Sequence, residues 1–308
     1  MFTDEQLKCA GEGDLASLIE LDKKGFCIGT GESSRDYVER LRYLQQNIAD
    51  LESCLADSGK YELEGIEFQQ SEKIEQERFL EVADITDREY AFQIDWVPGF
   101  YKNPANSWLF GGCAFYFFPD FFVLFLLRKS FAENPKWWIY DRRELLAHEL
   151  CHIARIGITD GAYEEHFAYR LSFSGFRRIV GGVFHSAKDS FALLGVTFAL
   201  LLAQIMKVLL FPALWLWPFW IFVVAVIGFF AVRHAYNCHR LSKAGRVLQE
   251  RGVMNPWAAL FRMSGEEIKE LAGIQDEDSF NEWRAQKCDL EIRWKVIDAR
   301  FISSGNVE

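Results

Sequence analysis

Between Phe191 and Val232 the chain runs for 42 positions with one charged residue, Lys207. A helix needs roughly 20 apolar residues to cross a bilayer, so this run is long enough to cross twice. Pro212 lies near its middle and Pro218 just beyond. The spacing predicts a transmembrane helical hairpin, with helices over 191–211 and 214–232 and a tight turn at Pro212. Trp215, Trp217 and Trp220 sit near that turn, as aromatic residues do at a membrane interface. Lys207 is close enough to extend its ammonium toward lipid headgroups. A buried helical pair in a soluble protein is the alternative, but soluble helices rarely run this long without a polar face. Membrane lipid is therefore an expected partner.

The flanks set the orientation. Arg177, Arg178 and Lys188 precede the hairpin, and Arg233, Arg240, Lys243 and Arg246 follow it. Basic residues at both ends predict that both face the cytoplasm of an inner or plasma membrane, with both termini and any active site on that side. Two further features agree. The start, MFTDEQLKCAGEGD, has neither the basic nor the apolar segment of a signal peptide. The seven cysteines are odd in number and scattered without a CxxC, which suits free thiols in a reducing compartment.

The net charge of −10 is unevenly distributed. Residues 1–105 carry 23 acidic and 11 basic groups, and the remainder 21 and 23. An acidic half without a clustered basic stripe argues against a nucleic-acid partner. It reads as a solvated helical face. Within it, Tyr37, Leu41, Leu44, Ile48, Leu51 and Leu55 fall at helical spacing, capped by Ser33 or Ser34 and ended by Ser58-Gly59.

Four regions follow from these textures. Residues 1–89 form an acidic helical N-terminal region and 90–185 a mixed core. Residues 186–233 form the hairpin, and 234–308 a helical C-terminal region with no recognisable chemistry. In the core, REYAFQIDWVPGFYKN alternates apolar residues up to Pro98-Gly99 and predicts a strand and turn. Trp108 to Leu127 reads either as a further membrane span or as two buried strands joined at Pro119-Asp120. Strands are preferred, because a span would hold Asp120 near mid-bilayer, at a cost of several kcal/mol.

The chemistry lies in AHELCHIARIGITDGAYEEHFAY, residues 147–169. His148, Glu149 and His152 form H-E-x-x-H. On a helix, positions i and i+4 share one face about 6 Å apart, so both imidazoles can meet one tetrahedral metal ion. Glu149 reaches the water on that metal rather than the metal itself. A metal held there would acidify the water, and the carboxylate would take its proton and pass it to the leaving amine. No proline or glycine interrupts residues 140–156, and a second helix is expected over 162–173. Cys151 points away from the shared histidine face and reads as a small buried residue.

HELCH at 148–152 resembles the motif helix of gluzincin-type zinc metallopeptidases, whose third ligand is a glutamate on a following helix. Members like membrane alanyl aminopeptidase carry N-E-G-F-A there, and thermolysin-like members N-E-x-x-S-D. E-E-H-F-A at 164–168 places Glu165 in the ligand register, with Phe167 and Ala168 matching and Glu164 where those families have asparagine. The resemblance covers residues 140–175 with a short connection between motif and third ligand, so it implies a compact gluzincin. It implies one Zn2+ per chain held by His148, His152 and Glu165, Glu149 as the catalytic base, and a peptide or protein substrate. The implied fold is α+β, a helix-rich zincin-like metallopeptidase domain with a small sheet, here joined to the transmembrane hairpin. It also implies an edge strand that holds an extended peptide, for which Phe121 to Leu127 is the candidate. Tyr163, His166, Tyr169 and Arg170 are the candidates for oxyanion stabilisation. A different class of reading is a non-catalytic zinc-binding membrane adaptor that uses its N-terminal helices for partner binding. Against it stands Glu149, because a structural zinc site has no use for a general base.

Overall fold

The computed structural model of the chain describes residues 1–63, 65–103, 111–117, 122–158 and 161–303. Helices α1 (Asp4–Gly11), α2 (Leu15–Lys23) and α3 (Ser34–Ser58) open the chain. α3 is the helix expected from its apolar stripe. Ser33 caps it by accepting from the Asp36 N–H, and Gly59 ends it in the left-handed conformation. A two-stranded hairpin, β1 (Lys60–Leu63) and β2 (Ile66–Gln69), leads to α4 (Gln76–Leu80) and α5 (Ala83–Tyr90).

The strand expected through REYAFQIDWVPGFYKN is not formed as such. α5 runs to Tyr90, and β3 (Gly99–Lys102) begins only at the Pro98-Gly99 turn. Between them the alternation of burial holds over Phe92, Gln93 and Ile94 (buried, exposed, buried) and is lost by Val97, which is buried out of phase. Strand pairing does not form among the described residues. This segment threads past the end of α2, where the Gln93 N–H donates to the Lys23 carbonyl at 2.8 Å and the Trp96 indole to the Lys24 carbonyl at 2.9 Å. A period of two reports an extended, half-buried chain; a strand also needs a partner in register.

β4 (Gly112–Phe117) and β5 (Phe122–Arg128) pair antiparallel, as the two-strand reading of this region expects. Trp108 to Phe110, the Pro119-Asp120 turn and Phe121 lie outside the described residues. β5 is the central strand, parallel to β3 on one side and antiparallel to β4 on the other, and is buried from Phe122 to Leu127. A short pair, β6 (Lys136–Trp137) and β7 (Tyr140–Asp141), then delivers the chain into α6 (Arg142–Arg155). α7 (Glu164–Arg170) and α8 (Gly175–Val180) follow.

The apolar run forms α9 (Ala187–Leu209) and α10 (Trp217–Glu250), two helices long and apolar enough to cross a membrane. Only 11% of the most apolar stretch of each is buried, so neither is a core helix of the described fold. The second helix starts at Trp217 rather than Leu214 and does not stop near Val232. It continues to Glu250, and Leu241, Ala244, Val247 and Leu248 of its polar half dock into the main core. Helices α11 (Pro256–Phe261), α12 (Gly265–Gly273), α13 (Glu277–Leu290) and α14 (Ile292–Ile297) follow, and a last helical turn spans Asp298–Ile302.

The C-terminal helices belong to the same core as the motif helix. One apolar cluster joins Leu150 and Ile153 of α6 and Phe167 of α7 to Leu260, Phe261, Leu271 and Trp294. Tyr90 stacks on Phe261 at 4.3 Å and donates its hydroxyl to the Phe167 carbonyl at 2.7 Å. Asp22 of α2 is buried between Arg262 at 2.7 Å and Arg300, which ties the N-terminal region to the tail. Among the described residues all seven cysteines are unpaired.

Candidate metal centre

α6 starts where Asp141 caps it, its carboxylate accepting from the N–H groups of Arg143 and Glu144. Leu146, Ala147, Leu150, Cys151, Ile153 and Ala154 bury one side of the helix. His148 and His152 emerge on the side facing α7. Their Nε2 atoms lie 3.3 Å apart. Glu165, in the first turn of α7, brings one carboxylate oxygen 3.6 Å from His148 Nε2 and the other 3.6 Å from His152 Nε2. The structure thus brings together the three residues that the motif and the E-x-F-A register single out.

The spacing can be tested against the chemistry of the donors. A tetrahedral zinc with bonds of about 2.0–2.1 Å holds its ligand atoms ~3.4 Å from one another. The 3.3 Å between the imidazoles matches that spacing, and Glu165 reaches each imidazole at 3.6 Å with a different oxygen, so one donor atom from each residue lies within 4.8 Å of the others, a set that two imidazoles and a carboxylate could close on one ion. Burial, and then the neighbouring His152, push the His148 imidazole down to about 3, so it is neutral and keeps a lone pair. Burial also acts to lower His152, but the carboxylates of Glu164, Glu165 and Glu149 outweigh it and raise the group. The Glu165 carboxyl is raised by burial.

Glu164 has a separate task. Its Oε1 accepts from Arg155 Nε at 2.8 Å, and its Oε2 lies 3.6 Å from His152 Nδ1, the ring nitrogen turned away from the cage. A carboxylate behind a ligating histidine fixes its ring and raises its basicity. Arg155 has no exposed side-chain surface. It bonds the Phe261 carbonyl and lies over the Phe167 ring at 4.5 Å. The C-terminal region, which reads as chemically silent, therefore braces the centre through one buried guanidinium.

Glu149 accepts the Ala114 N–H on Oε2 at 3.0 Å. Burial drives its carboxyl up to about 7, against the opposing effects of His152 and that hydrogen bond. The donor identifies the strand beside the centre. The Arg128 N–H bonds Gly111, and the Phe125 N–H bonds Pro98 on the far side of β5, so Ala114 turns its N–H away from β5 and out to the free side of β4. The edge-strand candidate, Phe121 to Leu127, is not an edge. Its described residues are in β5, which β3 and β4 enclose on both sides, and β4 is the strand whose edge meets Glu149. The apolar run alone could not rank two strands of one sheet.

A cleft of about 360 Å³ opens on His148 and Glu149, lined also by Tyr140, Leu145, Tyr169, Arg177 and Phe184. Of the oxyanion candidates only Tyr169 faces it, with its ring edge-on to His148 at 4.6 Å. Tyr163 is buried in the core, and Arg170 pairs with Glu89 at 3.2 Å and stacks over Trp257. His166 turns toward His185 and His234. A Cβ on Gly181 would meet the Tyr169 ring at 2.1 to 2.5 Å, so only glycine lets the chain pass over that ring. Sequence reasoning missed Glu144, one turn before His148. It accepts from Ser172 at 2.8 Å, the Phe173 N–H at 3.1 Å and Arg177 at 2.7 Å, pinning the loop after α7 to the motif helix. Its placement at i−4 from His148 was the available signal. Compared with known proteins, the chain matches no family model, no curated protein and no solved structure.

Proposed function

We propose that the chain is a compact gluzincin-type zinc metallopeptidase anchored in a membrane by its apolar hairpin. The observation that carries the reading is the convergence of His148, His152 and Glu165 on one point, with Glu149 on the adjoining cleft. One Zn2+ in that cage would act as a Lewis acid and supply an acidified water. The residues account for the rest. Glu149, poised near neutrality by burial, accepts a proton at one carboxylate oxygen while the Ala114 N–H holds the other. The outward edge of β4 offers backbone groups to an extended peptide, laying its scissile bond across the cleft. Tyr169, whose ring lines the cleft beside His148, would donate its hydroxyl to the carbonyl oxygen as it gains charge. The basic flanks and the exposed apolar surface of α9 and α10 support a cytoplasmic centre close to the bilayer.

The reading is tested on purified full-length protein. About one zinc per chain is expected, lost on His148→Ala or Glu165→Ala. Glu149→Gln should keep the metal and abolish cleavage of a peptide library. Absence of stoichiometric zinc, or cleavage that survives Glu149→Gln, would refute the proposal.

A further inference from the structure

Beside Glu165 on α7 stands His166, and its ring belongs to a different cluster. It stacks on His234 with centroids 4.9 Å apart and lies 5.6 Å from His185. His234 and Cys238 are one turn apart on α10, just past the apolar half of that helix, with Cys238 Sγ 3.6 Å from His234 Nε2. Donor atoms of His166, His234 and Cys238 all lie within 4.8 Å of one another.

The polar atoms of this cluster are poorly satisfied. Both ring nitrogens of His166 and Nδ1 of His234 are buried without a well-aligned hydrogen bond among the described residues, the Ala162 backbone being the polar group beside the His166 ring. Interiors leave very few polar atoms in that condition, and those they do leave call for a physical reason. His234 Nε2 meets the Ile179 carbonyl at 2.5 Å. A proton on one ring nitrogen leaves a lone pair on the other, the arrangement of histidines that ligate metals. Arg233 pairs with Asp189 at 2.6 Å, which offsets part of the positive charge it presents to the cluster. A Cβ on Gly182 would come within 3.0 Å of the His166 ring, so the backbone closes tightly over the cluster.

We infer that His166, His234 and Cys238 form a second metal site, separate from the centre on α6, that takes a borderline transition metal of the zinc class. Two imidazoles and a thiolate suit that class and disfavour magnesium or calcium, which require oxygen donors. Binding removes the Cys238 thiol proton to solvent and forms a sulfur–metal bond with no change of oxidation state. His185 borders the cluster, its Nε2 held by the Asn237 amide at 3.4 Å. An ion here clamps α10 to α7, one residue from Glu165. It therefore couples the apolar hairpin to the position of a ligand of the first centre.

Cobalt(II) loading of the full chain in detergent tests the site without reliance on activity. A thiolate ligand gives cobalt a near-ultraviolet sulfur-to-metal band that a site of two histidines and a glutamate lacks. The wild type should bind about two cobalt ions per chain and show the band. Cys238→Ser should lose the band and one ion, and His234→Ala should do the same. His148→Ala should lose one ion and keep the band, which separates failure of the first centre from failure of the second. Absence of the band from the wild type, or an undiminished band in Cys238→Ser, overturns the inference.

Discussion

Replacing Glu149 with glutamine should make the metal-free protein more stable, and increasingly so as pH rises. The Glu149 carboxyl is raised from 4.5 to about 7, mainly by burial. Below both values the group is protonated in folded and unfolded chains alike. Between them the unfolded chain releases a proton that the folded chain retains, so stability falls as pH rises through that window. Each pK unit is worth 1.36 kcal/mol, which sets a ceiling of ~3 kcal/mol across the window. Glu149 lines an open cleft, so solvent screening reduces this to roughly 1–2 kcal/mol. Glutamine preserves the shape and still accepts the Ala114 N–H, but carries no charge to be desolvated. The assay is thermal unfolding of chelator-treated wild type and Glu149→Gln between about pH 5 and pH 8. His148, whose imidazole burial lowers to about 3, gives the opposite slope below its ordinary value of 6.5, but does so in both proteins and largely cancels in the comparison. The variant should gain on the wild type by a few degrees toward the alkaline end. Parallel pH profiles would refute the claim that burial holds this carboxyl near neutrality.

Two further outcomes follow from packing. Asp22→Asn leaves Arg262 and Arg300 buried without their counter-charge and should cost about 3–5 kcal/mol in denaturant unfolding; a loss under 1 kcal/mol would show that the trio is not the link between the N-terminal region and the tail. Gly181→Ala forces a Cβ against the Tyr169 ring and should cost roughly 1–3 kcal/mol. It should also weaken zinc retention by moving the ring that abuts His148. Gly161→Ala, whose Cβ would meet nothing within 4 Å, serves as the control.

Much of the centre was legible because it is local. Two histidines at i and i+4 face one way on any helix, and uninterrupted helix-forming residues from Tyr140 to Ile156 were enough to expect that helix. α3 was legible for the same reason, and so were the two apolar helices. What escaped the sequence was long-range. The segment 91–97 alternates like a strand in sequence yet pairs with none, and β5, an edge strand by the gluzincin resemblance, is enclosed. α10 runs on past its apolar half because its polar half finds a groove among the C-terminal helices. Periodicity records which side of a segment is buried, and not which neighbour covers it.

The sequence by itself singled out the candidate donors, since His148, His152 and Glu165 follow from a helical repeat and a short register, and it determined two apolar helices, since 42 nearly uncharged positions allow few other folds. Only the tertiary structure decided how the donors converge, which strand presents its edge to Glu149, that Arg155 braces Glu164 from the C-terminal region, and that His166 meets His234 and Cys238 across 68 or more positions of chain. Local chemistry is written in spacing along the chain; convergence depends on how separate elements share one core, and no single segment contains that information.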